Sequence, residues 1–130
     1  MLDTDICSYV MKRNRPSVLE HLQRLTVQDV CISVITKCEI LAGVALSPNP
    51  ERDRGAAEDF LVNVPTLDFP DEAAAHYADI RADLKKRGNM IGANDLFLAA
   101  HARCLGLTLV TNNLREFGRV TGLTVENWAA

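Results

Sequence analysis

Asp3, Glu39 and Asp95 stand far apart in the chain, each where an apolar run gives way to polar residues, and Asn112, Asn113 and Glu116 follow another such run. Carboxylates drawn together repel one another unless a cation lies among them. Hard oxygen ligands suit Mg²⁺ or Mn²⁺, small ions that keep several waters and bridge to phosphate. An ion held that way can acidify a water and stabilise the leaving oxygen of a phosphodiester. The chemistry these acids suggest is therefore metal-dependent phosphodiester hydrolysis, provided that the fold gathers them. Taken singly they have simpler uses. Glu39 with Thr36 has the spacing of a capping box, and Asp95 suits the positive end of a helix dipole. Asp3 is harder to explain so, because an acid just after a buried strand is poorly solvated.

The elements that would gather them alternate between short apolar runs and helical patterns. Residues 1–4 read as the end of a buried strand. Residues 6–12 and 16–25 read as helices, with Pro16 at a favourable first-turn position. The β-branched run 30–34 reads as a strand. The helix opened by Thr36 extends to about residue 46, a turn covers 47–50, and a helix covers about 51–62. A strand is expected at 66–69 and a long amphipathic helix at 71–87. Another helix is expected from Asn94, a good N-cap, to Gly106. Residues 107–111 read as a strand, 112–119 as a short helix or loop, and 123–128 as a last strand. Strands separated by helices predict an α/β fold in three layers, with a mostly parallel sheet covered on both faces. Ligands of such sheets bind at the carboxyl ends of the strands. The acids are expected to converge there.

The chain has 130 residues, which suits one domain spanning 1–130. With 48% hydrophobic residues an ordinary core can form. No apolar run approaches the length of a membrane span, and residues 1–5 have no secretion-signal pattern, so the expected location is the cytoplasm. Cys7, Cys31, Cys38 and Cys104 show no metal-binding spacing and are expected to be reduced structural thiols. A net charge of −3 argues against a general nucleic-acid coat.

The segments Met1-Leu2-Asp3-Thr4-Asp5-Ile6-Cys7, Ile32 through Gly43, Ile91 through Ala102, Val110 through Phe117 and Leu123 through Trp128 together resemble, nearly end to end, the PIN-domain ribonucleases of the VapC toxin type. The resemblance implies a toxin of a toxin–antitoxin pair that cleaves RNA, tRNA among the candidates, with Mg²⁺ or Mn²⁺ held by three or four acids. The matching positions are Asp3, Glu39 and Asp95. The family's fourth acid falls where this chain has Asn113, and Glu116, one helical turn on, can supply the carboxylate. Asp5 replaces the Asn more common after Asp3-Thr4. Thr36 and Thr111 match positions where hydroxyls line the site. The resemblance also implies a homodimer, inhibition by a VapB-type antitoxin, and promoter DNA bound only through that antitoxin.

Arg115 and Arg119 lie beside the acid edge and are the phosphate-binding candidates. The clusters Lys12, Arg13, Arg15 and Lys85, Lys86, Arg87 read first as cations at helix C-termini, with RNA backbone contact second. His101 reads as packed or surface-exposed rather than as a general base. Tyr9 reads as helix packing before base stacking, and Trp128 as packing at the core edge. Two other functions compete. One is a binding protein with a weakened active site, given some footing by Asn113. The other is an aspartate-nucleophile phosphatase, which Asp3-Thr4-Asp5 resembles only locally.

Overall fold

A computed structural model describes residues 1–129; Ala130, the end of the expected domain, lies outside the described residues. The elements run α1 (Thr4–Lys12), α2 (Pro16–Gln23), a single 3₁₀ turn (Val27–Asp29), β1 (Ile32–Ser33), α3 (Val34–Ala45), α4 (Pro50–Asn63), β2 (Thr66–Leu67), α5 (Ala73–Lys86), α6 (Ala93–Leu105), β3 (Leu109–Val110), α7 (Leu114–Phe117) and β4 (Val125–Glu126). β1 pairs with β2, and β3 with β4, both in parallel. Residues 1–3 join the two pairs. Leu2 N–H donates to Cys31 O at 3.0 Å, Asp3 N–H to Val110 O at 2.9 Å, and Val110 N–H to Met1 O at 2.8 Å. The order across the sheet is therefore β2, β1, residues 1–3, β3, β4.

Side chains alternate across this sheet, as the two-residue period of a strand requires. Met1 and Leu109 enter one core with Ile80 and Leu84 of α5 and Leu98 and Ala99 of α6. Leu2 and Val110 enter the other, with Ile6 of α1, Val18 of α2, Ile40 of α3 and Phe60 of α4. Helices cover both faces, as expected of an α/β fold with a parallel sheet. No helix of the described residues is long and apolar enough to cross a membrane.

Several boundaries differ from the sequence reading, each for a local reason. The ladder segments are two residues long, so the runs 30–34, 66–69, 107–111 and 123–128 contain more extended chain than paired strand. Residue 34 already belongs to α3, because the Ser33 hydroxyl accepts from Ile35 N–H at 3.1 Å and caps the helix. The Thr36–Glu39 capping box does not form. Thr36 lies within α3, fully buried, and its Oγ1 has no hydrogen-bond partner. α6 starts from Gly92 rather than Asn94 and ends on Gly106, which adopts the left-handed conformation that glycine accepts without strain. α2 stops at Gln23, and α5 occupies Ala73–Lys86 within the expected 71–87.

His101 is fully buried, with Nδ1 2.8 Å from Ser33 Oγ and its ring edge-on to Phe69. Trp128 is buried, stacks on His21 and donates from Nε1 to Glu126 Oε2. All four cysteines are free; Cys7 is buried, whereas Cys38 is exposed on α3 and is not a core thiol.

Leu2 is 1% exposed and packs where both halves of the sheet meet. Leu2→Ala should lower unfolding stability by about 2–5 kcal/mol, the range for emptying a buried leucine site. Urea titration should show the lower midpoint with an unchanged slope; a loss below the range would mean that the junction is not a packed core.

Candidate active site

Asp3 is the hinge between strand and helix. Its backbone closes the sheet through Val110, and its side chain caps α1, Oδ1 accepting from Ile6 N–H at 3.0 Å. The fully buried Thr111 hydroxyl donates to the same carboxylate and accepts from Asn113 N–H at 2.9 Å. Glu39, in the second turn of α3, accepts from the Thr4 hydroxyl at 2.6 Å. Asp95 lies in the first turn of α6. A Cβ on Gly92 would stand 3.2 Å from its Oδ2, so a glycine there leaves the carboxylate its place. Asn113 caps α7, Oδ1 accepting from Glu116 N–H at 3.3 Å and Nδ2 donating to Glu116 Oε2 at 3.1 Å.

These residues meet at one mouth. Asp3, Thr4, Asp5, Glu39, Asp95, Leu98, Asn113 and Phe117 line a cavity of about 110 Å³. Glu116 joins them through a hydrogen bond with Asp95. Asp5 is exposed at the rim. Electrostatics records the crowding. Burial pushes Asp3 up from 3.8 to about 6, against the lowering by Thr111 and Ile6 N–H, with smaller upward contributions from Asp5 and Glu39. Asp95 rises from 3.8 to about 7, first through burial, then through its bond to Glu116 and that residue's charge, and then through Glu39 and Asp3. A helix N-terminus favours a carboxylate, so burial and like charge here outweigh the dipole.

Among the described residues no three His, Cys, Asp or Glu side chains stand close enough together to hold an ion as they are. Each acid instead leans on a local donor or on its neighbour. The donor set nevertheless fits a hard divalent cation. It is all oxygen, it comes from separate segments onto one cavity, and two of its carboxyls, Asp3 and Asp95, are raised first by burial and then by like charge, which a cation would relieve.

Three expected members do not join the acids. Asn112 turns away from the acids, because neighbouring residues of an extended segment face opposite sides; its Nδ2 donates to Tyr9 at 3.1 Å and its Oδ1 accepts from Asn127. Arg119 reaches back to the loop before α6, donating to Met90 O at 3.0 Å, while Arg87 donates to Arg119 O at 2.6 Å. Arg119 is thus engaged in holding that loop, and Arg115 remains exposed. Thr36 donates to none of the acids.

The sequence reading missed a second depression. A groove of about 660 Å³ runs between α1, α3 and α4, floored by Met11, Ile40, Val44 and Ala57 and reaching Lys12 and Arg52; Thr4 and Glu39 line both it and the acid cavity. Its signal in the sequence was only the small residues Gly43, Ala56 and Ala57, too common to stand out.

The profile of the PIN domain matches residues 1–123. Ribonuclease VapC2 of Haemophilus influenzae is 46% identical over 128 residues, 98% of this chain and 96% of the relative. The tRNA(fMet)-specific endonuclease VapC of Shigella flexneri is 41% identical over 129 residues, 99% of this chain and 97% of the relative. Among solved structures, VapBC2 from Rickettsia felis bound to a DNA fragment from its promoter has a chain that superposes with a TM-score of 0.92 at 35% identity, covering 98% of this chain and 97% of that one.

The raised carboxyls give a signed expectation. The folded state retains protons that the unfolded chain has released, so between about pH 4 and 7 their effect is to destabilise as pH rises. Asp95→Asn cannot lose that proton. In EDTA, thermal melts across this range should show Asp95→Asn gaining on the unsubstituted protein as pH increases. A constant difference would mean that Asp95 ionises normally.

Proposed function

From the premise that this chain belongs to the PIN-domain family and is a ribonuclease, we propose that residues 1–130 form one PIN domain acting as the endoribonuclease toxin of a VapBC-type pair. Its active site is Asp3, Glu39, Asp95 and Glu116, and its cofactor is Mg²⁺ or Mn²⁺. The observation that carries this reading is the convergence of those carboxyls, from four separate segments, around one cavity.

Asp3, Asp95 and Glu39 would hold the ion, with Glu116 supplying the charge that Asn113 lacks. When bound, the ion neutralises the acids, acidifies a water and stabilises the leaving oxygen. The remaining roles belong to the chain. Thr111 and Ile6 N–H fix Asp3. Thr4 restrains Glu39. Asn113 holds Glu116 against Asp95, whose Oδ atoms accept or yield a proton near neutrality. Arg115, exposed beside the acids, is placed to meet an RNA phosphate. Cleavage leaves 5′-phosphate and 3′-hydroxyl ends, and tRNA is the first substrate class to examine, as the Shigella flexneri relative is named for initiator tRNA.

The partner is a VapB-type antitoxin, as in the Rickettsia felis VapBC2 complex. The apolar groove beside the acids offers its C-terminal segment a seat from which a basic side chain can reach Glu39. Promoter DNA is bound through the antitoxin, and two copies of the chain form a dimer.

EDTA should abolish cleavage of an RNA substrate and Mn²⁺ should restore it. Asp3→Asn and Asp95→Asn should each lower the rate by more than about a hundredfold, beyond what loss of a supporting residue costs. Cleavage that persists in EDTA would refute the mechanism. In a Mn²⁺ titration Glu116→Gln should weaken binding more than Asn113→Ala does; the opposite order would move the fourth ligand to Asn113.

A further inference from the structure

We infer that Tyr9, Arg15 and Asn112 form a subsite for an unpaired nucleobase of the RNA, next to the phosphodiester that is cut; this rests on the ribonuclease reading above. Tyr9 lies on α1 one helical turn beyond Asp5, which lines the acid cavity. Its hydroxyl accepts from Asn112 Nδ2 at 3.1 Å, and the next residue, Asn113, lines that cavity as well. The ring thus stands beside the acid mouth, on the face to which Asn112 turns. The Arg15 guanidinium lies 4.7 Å from its centroid. Asn127 Nδ2 continues the polar edge by donating to Asn112 Oδ1 at 3.4 Å.

An aromatic face, a guanidinium plane and side-chain amides are what proteins present to splayed-out bases of single-stranded RNA. Lys12 and Arg13, at the end of α1, flank the platform with charge for the backbone beyond it. Tyr9 is half-buried and packs in part against the core of Leu2, Ile6 and Val18, but packing does not account for its polar edge, because the Tyr9–Asn112 bond is exposed, where a hydrogen bond adds little to stability.

The test uses the full chain with Mn²⁺ and a transcript of initiator tRNA, intact or carrying single abasic nucleotides on either side of the cut. Tyr9→Leu should raise KM by roughly 5- to 150-fold, the span of base–aromatic stacking. At one abasic position the unsubstituted protein should suffer a similar loss, and Tyr9→Leu should suffer no further loss there. Tyr9→Phe, which keeps the stack and drops the hydroxyl, should restore most of the affinity. Equal abasic losses in both proteins would overturn the inference. So would a Tyr9→Leu protein that cleaves normally but binds its antitoxin more weakly, since the face would then serve the protein partner. Failure of the unsubstituted protein to cut the transcript, while cutting no other cellular RNA, would remove the ribonuclease reading and this inference with it.

Discussion

Carboxyl groups crowded into a partly dry cavity are the constraint on which the rest of this structure depends. Asp3 is 5% exposed, yet it faces Asp5 and Glu39, and Asp95 faces Glu116. No such arrangement persists by attraction among its members. It persists because each side chain is fixed by something else: Asp3 by a backbone amide and Thr111, Glu39 by Thr4, Glu116 by Asn113. The scaffold supplies the energy that the charges oppose, and a divalent cation would turn the same repulsion into binding.

A parallel sheet is suited to that task. All its strands end on one side, so residues that follow them are brought together without any sequence proximity. Residues 1–3 occupy the middle of the order, flanked by β1 and β3, which makes Asp3 the most enclosed of the acids. Glu39 and Asp95 come from helices packed on opposite faces, and the buried contact between Ser33 and His101 joins those two helices through the edge of the sheet. Arg87 and Arg119 do similar work at the surface. Their crossed bonds to backbone carbonyls tie the loop before Asp95 to the segment after Glu116.

How much was legible in the sequence follows from the range of the interactions involved. The alternation of apolar runs with amphipathic stretches disclosed the fold class, and the acids placed after those runs pointed to the cavity that Asp3, Glu39 and Asp95 line together. Strand lengths were not legible, because a ladder of two residues is shorter than the period needed to recognise it. The start of α3 was expected at Thr36, yet Ser33 caps the helix and Thr36 is buried within it, a burial set by tertiary packing. The direction of Asn112, the burial of His101 in an alanine-rich helix and the engagement of Arg119 with carbonyls about thirty positions earlier depend on tertiary neighbours. The groove was hidden for the same reason, since concavity is a property of three packed helices and of no single one.

The amide at residue 113 has a physical consequence beyond its missing charge. A carboxylate there would sit beside Thr111, whose hydroxyl serves Asp3, and would add repulsion at the most buried acid. In this chain the carboxylate stands instead at Glu116, which acts on Asp95 through a hydrogen bond and its charge. The site is thereby split into two halves. Asp3 is raised mainly by burial, and its proton is contested by two donors already in place. Asp95 is raised further, by burial and then by the hydrogen bond and charge of Glu116. The Asp95 side therefore carries the stronger demand for compensating charge, and a cation held there would meet it.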